Sequence, residues 1–278
     1  MAVVLSIITA ATYGTSDFCG GLAAQRARLV QVVAGGHLVG LVGVTIASTL
    51  IATEFTTRDF LLGAAGGAFG AGAIALLYRR LAIGPMQVVA PLTAITSAAV
   101  PAAWGVATGE DVSPTAWLGV ALGLVAIGLV SISSGEYHAP VTAAVIGESL
   151  FAGVGFGAFF IFLDATDGST APWPVAGARL CTVAALIPFM VSRRHRIIPE
   201  GATAVALIAA TGLLDTTANV TFLYASDRGL LTLVAVLSSL YPVATVVLAR
   251  LVLSERMTRP QLSGFVIAMA ATALIAAG

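Results

Sequence analysis

Charge is what this sequence has least of. Only 9% of its 278 residues are Asp, Glu, Lys or Arg, against about 25% in an average soluble domain. Lysine is absent: arginine supplies all 13 positive charges, and 13 acidic residues balance them to a formal net charge of zero. A chain so poor in charge cannot cover the surface of a water-soluble globule, which excludes the usual soluble enzyme classes. The zero balance also leaves no basic footprint for nucleic acid. Cysteine is scarce too. Cys19 and Cys181 lie far apart in apolar stretches, with neither a disulfide framework nor metal-ligand spacing. No P-loop for direct ATP drive is present, and no HExxH helix or GxSxG elbow. Neither a metal nor a cofactor is expected.

What the chain has in abundance is apolar sequence, 58% of it, together with 30 glycines. A helix crossing the hydrocarbon of a bilayer needs about 20 mostly apolar residues. Such runs fall near 3–23, 31–51, 60–80, 86–107, 115–134, 142–163, 174–192, 203–225, 230–250 and 260–277. The expected class is therefore all-α integral membrane, with ten transmembrane helices. Stretches such as Leu118–Val130 are apolar at nearly every position, without the alternation of an outer-membrane barrel strand. The connections are short and carry most of the charge, so function must reside within the membrane or at its faces. The first segment lacks the basic flank and cleavage site of a signal peptide and is expected to remain as a helix. Glycines four apart, at Gly36/Gly40, Gly66/Gly70, Gly119/Gly123 and Gly153/Gly157, predict close helix packing.

The chain also matches itself weakly at offsets of 143 to 146 residues. Leu76-Leu77-Tyr78 aligns with Phe222-Leu223-Tyr224, Gly109-Glu110 with Ser254-Glu255, Trp117-Leu118-Gly119 with Gln261-Leu262-Ser263-Gly264, and Tyr13-Gly14 with Phe156-Gly157. Four matches in the same order predict two five-helix halves, 1–138 and 139–278. Five spans is an odd number, so the second half enters the membrane from the opposite side. That is the inverted-repeat plan of secondary transporters, with a site near the midplane.

The ten spans, the segment Tyr13-Gly14-Thr15-Ser16-Asp17-Phe18, the run Ala90-Pro91-Leu92 and the Gly-Glu and Ser-Glu endings of the fourth and ninth spans resemble the drug/metabolite transporter superfamily, EamA-domain branch. The resemblance extends over nearly the whole chain. It implies two inverted five-helix repeats in a cell membrane and, for most members, export of small metabolites or drugs, in some cases driven by protons. It further implies an arginine at the place of Arg179 and both termini inside the cell. Where many relatives carry tryptophan in the first span, this chain has Tyr13.

Ionisable side chains inside spans are costly and mark functional sites by default. Asp17 shares a face of the first span with Tyr13, and Asp215 lies near the middle of the eighth with Asn219 one turn on. Asp17, Asp215 and Asn219 are expected to line a central cavity, one carboxylate carrying a proton or holding the cationic part of a substrate. Alternatively, Asp17 or Asp215 forms a static pair with Arg179 of the seventh span. Arg179 itself either ties helices together or receives a substrate carboxylate. His37, its counterpart at an offset of 142, is a packing histidine or a proton relay. Tyr78, Trp104, Tyr224 and Tyr241 are candidates for stacking on a flat or cationic substrate, or for the interfacial belt, to which Trp117 and Trp173 are assigned. Pro91 and Pro101 in the fourth span and Pro242 in the ninth are expected to bend their helices at a gate or cavity wall. Neighbouring hydroxyls, from Thr93, Thr96, Ser97, Ser238 and Ser239, are placed to satisfy the freed carbonyls. Glu110 and Glu255 are expected to be caps or loop contacts.

A proton-coupled exporter of small amphipathic metabolites or cationic drugs is thus the leading expectation, with an uptake carrier as the alternative. A polytopic membrane enzyme is disfavoured by the missing motifs. The implied partners are a small-molecule substrate, protons and the lipid bilayer, and oligomeric state stays open. Orientation is contested. Loops after odd-numbered spans hold Arg26, Arg28, Arg79, Arg80, Arg193, Arg194, Arg196, Arg256 and Arg259, and loops after even-numbered spans only Arg58 and Arg228. The positive-inside rule then puts both termini outside, against the family resemblance.

Overall fold

A computed structural model of the chain describes residues 1–83, 86–132, 141–194, 196, 198–254 and 256–278, with backbone alone for 78–83, 86 and 87. Helices account for nearly all of it: α1 (Ala2–Ala24), α2 (Leu29–Ile51), α3 (Thr57–Ile83), α4 (Met86–Ala107), α5 (Pro114–Val130), α6 (Ala143–Asp164), α7 (Trp173–Ser192), α8 (Ala202–Ser226), α9 (Leu231–Ser238), α10 (Tyr241–Leu253) and α11 (Arg259–Ala277). A 3₁₀ turn, Gly168–Thr170, precedes α7. No strand occurs among the described residues. In hydrocarbon every backbone amide must be satisfied within its own segment, and the helix is the single-chain solution.

Among the described residues nine candidate spans are long and apolar enough to cross a bilayer, α9 and α10 together counting as one, and α5 is a shorter apolar helix. The expected boundaries agree with these to within a few residues, save in two places. The fifth span was expected to run to 134, but α5 ends at Val130, leaving about 26 Å of helix. The ninth is not one bent helix: α9 closes at Ser239, the chain turns at Leu240, and α10 starts afresh with Pro242 in its first turn. There the proline sits where no intrahelical donor is needed. By contrast, α4 runs unbroken through Pro91 and Pro101.

The surface is inverted relative to a soluble protein. Leu50, Phe151, Leu251 and Met269 are exposed, while the hydroxyls of Ser6, Thr9, Ser48 and Ser149 are buried. Where lipid surrounds the molecule, apolar side chains gain nothing by burial, so small residues and hydrogen bonds hold the helices together. Most of the buried hydroxyls bond a carbonyl one turn back, as Ser48 does with Val44 O at 2.7 Å. Thr93 instead reaches across to Ser149 O at 3.1 Å, joining α4 to α6. Thr96 and Ser97 take Leu92 O and Ala94 O, not the carbonyls the prolines free. Ser238 and Ser239 find no partner among the described residues.

Packing pairs the helices across the two halves of the chain. α1 lies on α8 and α6 on α3; α4 lies on α6, and α1 on α9 and α10. α2 meets α7, and α5 meets α11. Close approach is set by glycine at particular places. A Cβ on Gly212 of α8 would strike the backbone of Gly36 in α2. On α3 the tight stripe is Gly63 and Gly67, against the backbone of Pro174 and Ala178 in α7. The expected pair Gly66 and Gly70 sits one row over, facing α6: a Cβ on Gly66 would come within 3.0 Å of Phe162, and one on Gly70 would meet Phe159 at an ordinary 3.9 Å.

Loops clip the ends. Glu110, after α4, accepts from the backbone N–H groups of Leu231 and Thr232 at the start of α9, satisfying donors that a helix leaves open. Asp59, buried in the first turn of α3, accepts from Asp167 N at 3.1 Å and Thr170 Oγ1 at 2.9 Å. Glu136, His138, Glu255 and the junction at 138/139 lie outside the described residues, as do the side chains of Tyr78, Arg79 and Arg80.

Candidate functional site

α2, α7 and α8 converge on one guanidinium. Arg179 is buried seven residues into α7, and three side chains receive its donors. Nε donates to Thr216 Oγ1 at 3.1 Å, Nη1 to His37 Nε2 at 3.3 Å, and Nη2 to Asp215 Oδ2 in an ion pair. Gly40, beside Thr216, lets α8 come near enough to α2 for all three contacts to form. A guanidinium has no acceptor, so the Nε2 it reaches must be one, and the neutral imidazole carries its proton on Nδ1. That Nδ1 is buried with no partner among the described residues.

The polar network continues towards α1. Asn219, buried on α8, donates from Nδ2 to Asp215 O at 2.7 Å and accepts at Oδ1 from the Tyr13 hydroxyl at 2.7 Å. Tyr13 also sets its ring edgewise to Phe160 at 6.3 Å and Tyr241 at 6.1 Å between centroids, and Phe160 lies 4.4 Å from Phe222. An aromatic wall drawn from α1, α6, α8 and α10 thus adjoins the polar network.

Asp17 stands one turn beyond Tyr13. On α1, Thr9, Tyr13 and Ser16 face α8, with Ser16 donating to Thr211 O at 2.9 Å. Gly14 faces α10, where Thr245 donates to Gly14 O at 3.1 Å. At 100° per residue Asp17 projects between those two faces. α8 and α10 are not among the closely packed helix pairs, and the Asp17 side chain between them is exposed. It lies close enough to Asp215 and Tyr241 to interact with both electrostatically. Asp17 itself forms no ion pair or hydrogen bond among the described residues.

The chain thus brings together seven of the residues singled out in the sequence: Tyr13, Asp17, His37, Arg179, Asp215, Asn219 and Tyr241. Two are elsewhere. Tyr224 lies nine residues past Asp215 at the far end of α8, its hydroxyl donating to Ala171 O at 3.4 Å and its ring under Arg228. Trp104 is half-exposed near the end of α4, beside the Glu110 clip. Thr216 and Phe160 belong to the site without having been singled out. Their one signal was spacing, since Thr216 follows Asp215 and Phe160 precedes Asp164 by one turn. Among the described residues no group of His, Cys, Asp and Glu is placed to hold a metal ion.

An all-helical membrane fold of this kind, with ionisable groups gathered inside it, defines a multi-pass membrane protein. Residues 140–277, α6 to α11 with the chain leading into them, match the EamA-like transporter family. The chain belongs to that family, a family of membrane transporters of the drug/metabolite type. A solved crystal structure, described only as that of a protein, is 17% identical, with 98% of this chain and 95% of its own covered and a TM-score of 0.77. At that identity the likeness speaks for the fold. No curated protein matches the chain.

Proposed function

We propose that this protein is a proton-coupled exporter of small cationic amphipathic compounds in the cell membrane, built from two inverted five-helix repeats, 1–138 and 139–278. The observation that carries the reading is the asymmetry of the two carboxylates. Asp215 is matched by Arg179, which leaves Asp17 accessible, unpaired among the described residues and walled by Tyr13 and Tyr241. An unmatched carboxylate at membrane depth must be either protonated or balanced by a bound cation. Those two states exclude one another, which is the condition for exchanging protons against a cationic substrate. The aromatic wall adds a surface for the apolar or cationic part of the ligand.

The repeat is supported by the exchange of packing partners: α1 takes α8 as α6 takes α3, and α2 takes α8 as α3 takes α7. His37 and Arg179, at corresponding positions of the halves, touch one another, as residues beside a two-fold axis do. Such a plan offers two related openings around one site.

The test is flux. In proteoliposomes with an imposed pH gradient, the wild-type protein moves a cationic aromatic dye against its gradient, and Asp17→Asn folds but moves none. Wild-type rates from Asp17→Asn would overturn the role of Asp17. In cells overproducing the protein, raised resistance to cationic toxicants is the expected result, and raised sensitivity would mean uptake instead.

A further inference from the structure

Away from the central site, the turn joining α1 to α2 and the connection joining α7 to α8 border an open cavity of about 630 Å³, within the size range of small-ligand sites. Arg26, Arg28, Arg194 and Arg196 line it, with Glu200 the one carboxylate among the described residues of its lining. Its base is built. Gln31 accepts from Arg28 N at 3.0 Å and donates to Arg196 O at 2.8 Å, so one side chain locks the two connections together. Arg26 is anchored on Leu22 O at 3.0 Å, and Arg196 pairs with Glu200. Arg194 holds a left-handed backbone, φ 53°, rare for a residue with a side chain. Ile198, 72% exposed, stands in the cavity lining, and Phe189 and Val191 are exposed towards the end of α7.

We infer that this cavity binds the phosphate group of an anionic phospholipid. With Arg196 paired to Glu200, the guanidinium groups of Arg26 and Arg194 leave a surplus of positive charge. The planar fork of donors on each suits phosphate oxygens in pairs. The ends of two spans place the cavity at headgroup depth, where a lipid phosphate lies. The exposed Ile198 in the cavity lining offers an acyl chain an apolar surface, a feature that a free phosphate ion cannot use. A topology signal alone would need arginines in the loop but not a cavity locked by Gln31. The inference does not depend on what the central site transports.

Native mass spectrometry of the full-length protein in detergent, offered phosphatidylglycerol and phosphatidylcholine of the same acyl chains, tests it. Retention of phosphatidylglycerol is expected to exceed that of phosphatidylcholine by about tenfold. The double variant Arg26→Gln/Arg194→Gln should lose that preference, while Arg256→Gln/Arg259→Gln, of equal charge change but outside the cavity, should keep it. Equal retention of the two lipids by the wild-type protein would overturn the proposal, and this arm needs no variant to fold. Equal loss in both double variants would overturn it in favour of general charge attraction. Displacement of the lipid by excess inorganic phosphate would overturn it in favour of a free-phosphate site.

Discussion

Asp215 and Asp17 have the same side chain at similar membrane depth and opposite circumstances. Asp215 has Arg179, and removing one member of a buried pair leaves an uncompensated charge, at about 3–5 kcal/mol. Arg179→Met should therefore lower thermal stability in detergent by that order, and Arg179→Met/Asp215→Leu should regain most of it. A double variant as unstable as the single one would show that the pair is not what Arg179 supports. Asp17 has no such partner to lose, so Asp17→Asn is expected to leave the melting temperature unchanged while abolishing coupled flux. Tyr13→Phe removes one hydroxyl and leaves Asn219 Oδ1 without its donor. The expected loss is about 1–3 kcal/mol, measurable by the same melting experiment.

Helices in this protein are positioned by what is small as much as by what is charged. Gly212→Val would push α8 from α2, since the new side chain meets the backbone of Gly36. Overpacking at such a contact destabilises by about 1–3 kcal/mol. It should also separate Thr216 and Asp215 from Arg179, so flux is expected to fall further than stability. Gly70→Ala, one row off the tight stripe, should be neutral in both measurements. The glycine pattern legible in the sequence identified α2 and, on α3, the close approach of Gly66 to α6, but not the tighter approach of Gly63 and Gly67 to α7. Spacing alone does not say which of several glycines looks at a neighbour. A similar limit applied to the ninth span. Pro242 announced a disturbance, but a break rather than a bend followed because Ser239 and Leu240 close one helix before the proline opens the next.

Orientation is a property of the whole molecule. The arginine distribution predicts the loop after α4 outside the cell and the connection after α7 inside. With Cys19 and Cys181 replaced, a cysteine at Asp111 should react with a membrane-impermeant reagent in intact cells, and one at Glu200 only after lysis. The reverse pattern would put both termini inside, as the family resemblance implies. Fold class, the number of apolar segments and most of their boundaries were settled by the sequence alone, because hydrocarbon admits only segments that satisfy their own backbone, a local condition written in about twenty consecutive residues. Which charges find partners depends instead on contacts between residues far apart in the chain. Asp17 and Asp215 look alike in the sequence, and only the convergence of α2, α7 and α8 gives Arg179 to one of them and leaves the other exposed. Trp104 and Tyr224 likewise have the right chemistry at the wrong height, and depth along a packed bundle exists only once the helices have been brought together.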